Sequence, residues 1–535
     1  MSLPNRNNPY NFSEFLEWRN NFDFLQDDGF LQKVIQHYAI DLNEEAYLDL
    51  KRFSHELSAH WQHLADLSGS HENAPRMVHF DGHNNRIDRI VRPPSTLQLE
   101  DAVWKEGVFS ESVDPWVRFI KIFLLCQLGE SGINCAHCCT GGLIMILDKF
   151  ADTPELKQIL QHLKEGDQQQ EEQKSFGVGA QFLSEIQGGS DVAANAVEAV
   201  QTEEGWRIYG TKFYCSAAHA DYAVITAKPS DSENVGVFVV PSWLPGNKEK
   251  EIRNNYSINK LKTKLGTREL PTAEITYQGA VGYPVGDLKR GLANIVGIVL
   301  SHSRFVTGLS AGAQITRIAR EAKRYSEWRS AFGVTINEFG LVAMQIEDLD
   351  RKAKLCTAGA FKLQQQIHTL ALIDNGDMES PGEIEEKQAR FHVRILIMLQ
   401  KLVACTDSAS ISETAMSIFG GHGLMEDFSA LPRLYRDAIT LNGAWEGPRN
   451  LLLTRIYMDL QAACSWYSLE EFVANMLSKT KASSVQGLSK ELNEVISHPT
   501  LVSNDPETIA VCRRWDQLCS DIFHAYQEEA FGELN

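Results

Sequence analysis

Glu446 sits in the segment LNGAWEGPRN, between the indole of Trp445 and the pair Gly447–Pro448. That Gly–Pro pair reads as the cap and first residue of a new helix. A carboxylate set against an indole, with no cation beside it in sequence, reads either as a catalytic group kept from water or as an ordinary surface residue at a helix start. The plainer reading is an acidic side chain favoured by the dipole at a helix start. Two further segments carry hydroxyls suited to a ligand. SEIQGGSD, Ser184 to Asp191, offers O–H and backbone N–H donors beside glycines that permit close approach, while taken alone it reads more simply as a glycine turn entering a strand. GTKFYCS, Gly210 to Ser216, places the aromatic Tyr214 and the hydroxyl of Ser216 on one face of a strand. Cys135-Ala-His-Cys-Cys139 has ligand-type residues, but no second ligand pair follows at finger-like spacing and the run continues into apolar GGLIMIL. It reads as small buried residues on a packed helix, and no metal is expected. His79 and His83, in HFDGHNNRID, flank Asp-Gly and read as turn residues.

These residues must be held by three zones and a tail. Residues 1–178 read as an N-terminal helical domain, with apolar residues at three- and four-residue steps in FLQKVIQHYAIDL and WVRFIKIFLLCQLGE. The polar run KEGDQQQEEQK, 164–174, marks a connection. Residues 179–285 change texture, to short β-branched or aromatic runs such as WRIYGTKFYC, YAVITAK and VGVFVVP bounded by turn residues, which argues for a β-domain. Residues 286–465 return to long helices. Residues 466–535 form a helical extension containing five Lys+Arg against eleven Asp+Glu, so it is not a basic arm.

Composition narrows the class. The 535 residues are 43% hydrophobic and 23% charged, a globular balance. A net charge of −19 repels phosphate backbones, so no nucleic-acid partner is expected. No apolar run reaches the roughly 18–20 residues of a membrane span. The first residues, MSLPNRNNPYNFSEFLEW, lack an apolar signal core and the character of a transit peptide. Ten cysteines without framework spacing read as reduced thiols, and a cytoplasmic location is expected.

In order, SEIQGGSD, GTKFYCS, Arg329-Ser-Ala-Phe332-Gly333, Phe419-Gly420-Gly421-His-Gly423 and Trp445-Glu446-Gly447 resemble the successive motifs of the acyl-CoA dehydrogenase family. The chain length, Lys264-Leu-Gly266 and the WEGxxN ending look closest to its AidB-like branch. The resemblance implies an α+β fold: an N-terminal helical domain, a central β-barrel-like domain and a C-terminal four-helix bundle, here with an extra helical tail. It implies FAD, with Ser184 and Ser216 bonding the flavin ring and Tyr214 packing against it. Arg329 and Phe332 would reach the FAD of a neighbouring subunit, Gly420 and Gly421 would approach the same cofactor, and Gly447 and Asn450 would lie near it. Ser190 would touch both cofactor and acyl-CoA, while Arg304, Trp445 and Gly447 would line the substrate site.

Glu446 would then be the general base that removes the proton α to a thioester carbonyl. A minority of the family carries its base one residue before the equivalent of Arg304; here that residue is Ser303, which cannot serve. The resemblance also implies an electron-transfer flavoprotein as electron acceptor and a homodimer or homotetramer. Its rivals are an AidB-like role in DNA binding and alkylation response with weak dehydrogenase activity, and a flavoprotein oxidase. Departures from the family pattern include Ser417 in place of glutamine, Phe339–Gly340 in place of His–Gln, and Pro448 in place of Thr or Ser.

Overall fold

The computed structural model describes residues 11–167, 175–370 and 384–535. Most of the polar connection expected at 164–174 lies outside the described residues.

Among the described residues the N-terminal region carries eight α-helices: α1 (Ser13–Asn21), α2 (Gly29–Tyr38), α3 (Glu44–Glu56), α4 (Gln62–Ser68), α5 (Pro94–Lys105), α6 (Pro115–Cys126), α7 (Ser131–Phe150) and α8 (Pro154–Glu165). Caps explain several starts. Asp114 accepts from the backbone N–H groups of Trp116 and Val117 ahead of α6, with Pro115 at the first helical position. The side chain of Glu130 accepts from Ile133 N at the start of α7. The zone is not purely helical. A hairpin, β1 (Arg76–Phe80) and β2 (Arg86–Val91), interrupts it. His79 therefore stands in a strand, 2.7 Å from Asp88, and only His83 lies in the turn.

Strands β3 (Gly179–Phe182), β4 (Glu198–Thr202), β5 (Gly205–Ser216), β6 (Tyr222–Pro229), β7 (Gly236–Pro241), β8 (Tyr256–Leu261) and β9 (Thr272–Pro284) form one sheet in the order β3-β6-β4-β5-β9-β7, with β8 on β9. The additional pairing of β6 with β7 closes it into a small barrel. Closure gives β4, β5, β6, β7 and β9 a neighbour on both sides. A one-residue bulge in β5 between Lys212 and Cys215 turns both Phe213 and Tyr214 toward the barrel's outer end, where a cavity opens.

Past the barrel, α9 (Gly291–Asn294) leads into α10 (Leu300–Trp328), followed by the two-strand turn β10 (Ser330–Ala331) and β11 (Val334–Thr335), then α11 (Gly340–Thr369), α12 (Ile384–Phe419), α13 (Leu431–Gly443) and α14 (Arg449–Ala463). α10, α11, α12 and α13 make the bundle, and small residues set its spacing. A Cβ on Gly308 would stand 2.8 Å from the Gln400 side chain, so α10 and α12 approach at a distance that only glycine allows. Contrary to the expectation that no stretch suits a membrane, Leu288–Trp328 and Ile384–Leu424 are long and apolar enough, at a mean hydropathy of 1.3, to qualify by length and composition. Most of each apolar window is buried inside the protein, as for core helices of a bundle.

The tail is three helices rather than one: α15 (Leu469–Met476), α16 (Ala482–Ile496) and α17 (Pro506–Gly532). α17 lies along α11. Lys362 pairs with Glu529 at 2.7 Å and Glu533 at 3.0 Å, and Tyr526 donates to Gln366 Oε1 at 3.0 Å. Trp515, fully buried, anchors it to α14 through a bond from Nε1 to Leu453 O at 2.9 Å.

Candidate active site

Between the barrel and the bundle lies a cavity of about 680 Å³. Ser184, Ser190, Tyr214, Ser216, Arg304, Trp445, Glu446 and Gly447 all line it, brought together from four separate stretches of chain.

Glu446 occupies the short link between α13 and α14. Its φ is +57°, a left-handed conformation that costs a glutamate of the order of 1–3 kcal/mol, and Gly447 follows at +103°. The surroundings hold this shape. Arg304 Nε donates to Glu446 O at 3.1 Å, and Lys401 Nζ donates to Gly447 O at 2.8 Å. Both cations are buried, one on α10 and one on α12. Pro448 is the cap of α14 and Arg449 its first residue, one position later than the Gly–Pro pair suggests.

The carboxylate is not remote from positive charge, as its sequence neighbours imply. Burial pushes its pKa up to about 7, against the opposing pull of Arg304, Lys401 and a hydrogen bond from Gln181 Nε2 at 3.0 Å. Burial in turn holds Arg304 and Lys401 below their ordinary values. Glu446 keeps partial exposure to the cavity that it lines. A carboxyl titrating near neutrality on a cavity wall can exchange protons at working pH. Trp445 packs against Ala311, Ala404, Cys405 and Leu441 and closes the bundle side of the link.

The opposite wall comes from the barrel. Glu185, next to Ser184, is fixed by the buried Lys212 at 2.7 Å and by the backbone N–H groups of Ala196 and Val197. That anchor holds the SEIQGG loop against β5, where Phe213 N donates to Ser184 O at 2.9 Å. A Cβ on Gly189 would stand 2.4 Å from Ser184 Oγ, so a larger residue here would displace that hydroxyl. Ser216 Oγ lies 3.2 Å from Thr272 Oγ1, which accepts from the half-buried Lys264 at 2.9 Å. Burial lowers the Lys264 pKa to about 8.

α7 adds a sulfur-rich floor: Cys135, Cys138 and Cys139 line the cavity, joined by Cys126 of α6. All ten cysteines are unpaired. Burial raises the thiol of Cys138 well above its ordinary value, and the neighbouring Cys135 does so for Cys139, which leaves both protonated and weak as nucleophiles. Among the described residues no group of three or more His, Cys, Asp or Glu side chains is arranged to hold a metal ion.

Arg329, Phe332, Gly420, Gly421 and Asn450 do not reach this cavity. Arg329 caps the far end of α10, and Phe332 is 98% exposed on the β10–β11 turn. Gly420 and Gly421 are exposed beside His422, whose Nδ1 lies 2.8 Å from the hydroxyl of Tyr325 on that end of α10. Asn450 is exposed at the start of α14. Sequence reading missed Gln181, Lys401 and Phe213. The lone lysine in the apolar run VRILIMLQKLVAC of α12 was the available signal for Lys401.

Residues 180–280 match the model of the acyl-CoA dehydrogenase middle domain, and residues 289–461 match that of the C-terminal domain. The chain belongs to the acyl-CoA dehydrogenase family. It is 28% identical over 452 residues to acyl-CoA dehydrogenase family member 11 of Caenorhabditis elegans, covering 80% of this chain and 69% of that one. It is 26% identical over 430 residues to the putative acyl-CoA dehydrogenase AidB of Escherichia coli K12, covering 75% and 72%. Both relatives agree with the expected likeness to the AidB-like branch. The fold of C. elegans ACDH-11, solved in complex with C11-CoA, superposes with a TM-score of 0.75 at 22% identity, over 95% of this chain and 90% of that one.

Proposed function

We propose that this protein is a FAD-dependent acyl-CoA dehydrogenase, with Glu446 removing the α-proton of an acyl-CoA thioester. The observation that carries this reading is a carboxyl with its pKa pushed up to about 7, facing a cavity whose opposite wall presents Ser184, Tyr214 and Ser216. The residues fit a flavin ring: two hydroxyls and one aromatic face address the same space, and Gly189 leaves room beside Ser184 Oγ that a Cβ would fill. FAD bound there would accept two electrons from the substrate β-carbon.

This chain's own part is proton transfer and its setting. Near neutral pH a substantial fraction of Glu446 is ionised and able to accept the α-proton, and general-base help of this kind contributes typically ~10²–10⁴-fold. Protonation then leaves a neutral acid in a partly dry site, which burial favours. Arg304 and Lys401 hold the link's carbonyls while this charge comes and goes. Arg304 and Arg329 stand at opposite ends of α10, roughly 37 Å apart along the helix axis. Arg329, Phe332, Gly420 and Gly421 therefore serve the FAD of another copy, in a homodimer or homotetramer. Electrons would leave to an electron-transfer flavoprotein, and the unpaired cysteines suit the cytoplasm.

The test is to purify the protein, reconstitute it with FAD, and follow 2-enoyl-CoA formation from acyl-CoA with an artificial electron acceptor. Stoichiometric flavin and enoyl product support the proposal. Absence of bound flavin after reconstitution, or of product from every chain length, refutes it.

A further inference from the structure

Behind Glu446 runs a chain of polar groups that ends in a choice. Gln181, on β3, donates from Nε2 to Glu446 Oε1 at 3.0 Å. The other end of the same amide, Oε1, lies 3.1 Å from Ser303 Oγ on α10. Ser303 is completely buried, and its hydroxyl also lies 3.0 Å from the backbone carbonyl of Val299. A serine hydroxyl has one proton and can also accept. Two acceptors therefore compete for a single hydrogen.

The competition matters because a general base changes from acceptor to donor as it works. When Glu446 is ionised, the Gln181 N–H suits it, and Ser303 supplies its proton to the amide oxygen. When Glu446 is protonated, the acid O–H needs an acceptor. Half a turn of the amide then presents Gln181 Oε1 to the acid and Nε2 to Ser303 Oγ, while the serine proton moves to Val299 O. Each arrangement pairs the carboxyl, the serine hydroxyl and the two ends of the amide that face them, as a buried polar chain requires. A fixed donor would serve only one of the two states.

We propose that Gln181 is a positioning residue that turns with the charge of Glu446, with Ser303 as the pivot that satisfies the amide in both orientations. The proposal rests on the reading of Glu446 as the base. Other groups face Glu446 as well: Arg304 from α10, Lys401 from α12, and the thiols of Cys138 and Cys139 from α7. Arg455 of α14 shares the cavity wall. The cations only donate, and the thiols can exchange donor for acceptor only as weak partners, which leaves the amide as the strong group able to serve both states.

The experiment is a pH titration of the protonated-carboxyl infrared band of the full-length protein, assigned by its loss in Glu446→Gln. A bond from an amide N–H to an ionised carboxylate is stronger than its neutral counterpart. Gln181→Met should therefore raise the midpoint by about one unit, a tenfold gain in proton affinity. Ser303→Ala takes a donor from the amide oxygen in the ionised state but leaves the turned amide N–H without an acceptor, the less tolerated loss, and should lower the midpoint, and Ser303→Thr should restore it. Gln181→Asn, which withdraws the amide while keeping its polarity, should behave as Gln181→Met and guards against a variant that fails to fold. The idea is overturned by a wild-type midpoint in both Gln181 variants, by a shift in Ser303→Ala of the same sign and size as in Gln181→Met, or by the absence of any Glu446-dependent band. Because the band is read without turnover, a wild type that titrates as described yet forms no enoyl product retires the proposed enzyme and leaves this inference standing. Normal turnover with unmoved midpoints does the reverse.

Discussion

Replacing Glu446 by glutamine should make the protein more stable at pH 8 and leave its stability unchanged at pH 4. Folding raises the carboxyl pKa from 4.5 to about 7, so the native state holds this proton more tightly than the unfolded chain does. Below pH 4.5 both states are protonated, and the group is neutral in its effect. As pH climbs from there through 7, the native state must ionise a buried acid, and stability drains away. At 1.36 kcal/mol per unit the full loss is about 3 kcal/mol, and solvent reaching Glu446 through the cavity screens part of it, leaving about 2 kcal/mol. Glutamine keeps the size and can still bond to Gln181, but it never ionises. Urea unfolding of the two proteins at pH 4, 6 and 8 should show curves that coincide at the lowest pH and separate above pH 6, the variant being the more resistant. Equal midpoints at pH 8, or a variant weaker at every pH, would refute the claim that this carboxyl is held in an environment hostile to its charge.

Arg304→Met removes a cation that favours the ionised base and a donor to the Glu446 carbonyl, so the acid limb of kcat/KM against pH should move upward with a fall in kcat; an unmoved limb would contradict the assigned role. Gly447→Ala places a side chain at φ +103°, and a denaturant titration should show a loss of about 1–3 kcal/mol in stability. Trp515→Ala empties the fully buried contact of α17 with α14 and should destabilise by about 3–5 kcal/mol in a denaturant titration, with the tail released first under limited proteolysis. With a net charge of −19 the protein should pass through a heparin column at low salt, whereas retention would favour a nucleic-acid role.

The fold was legible because texture changes along the chain. β-branched runs bounded by turn residues announce the barrel, and three- and four-residue apolar steps announce the helices around it. The β1–β2 hairpin was missed because its alternation is short and its exposed face is rich in charge. The tail resolved into three helices because Ser468 and Asp505 cap two of them, signals that lie inside a polar stretch. At the site, motif residues such as Ser184 and Glu446 could be named from order and type. Their electrostatic setting could not, since Arg304 and Lys401 lie 142 and 45 positions upstream of Glu446 and meet it only through packing of α10 and α12. Gln181 was hidden for another reason: a polar residue within a short strand looks like an ordinary solvent-facing position until the bundle covers it.

Anaerobic titration of the FAD-loaded protein with acyl-CoAs of graded chain length tests the central claim most directly. The account predicts that at least one thioester bleaches the flavin of the wild type and that none bleaches that of Glu446→Gln. Flavin left oxidised by every thioester, or bleached equally in the variant, would contradict it.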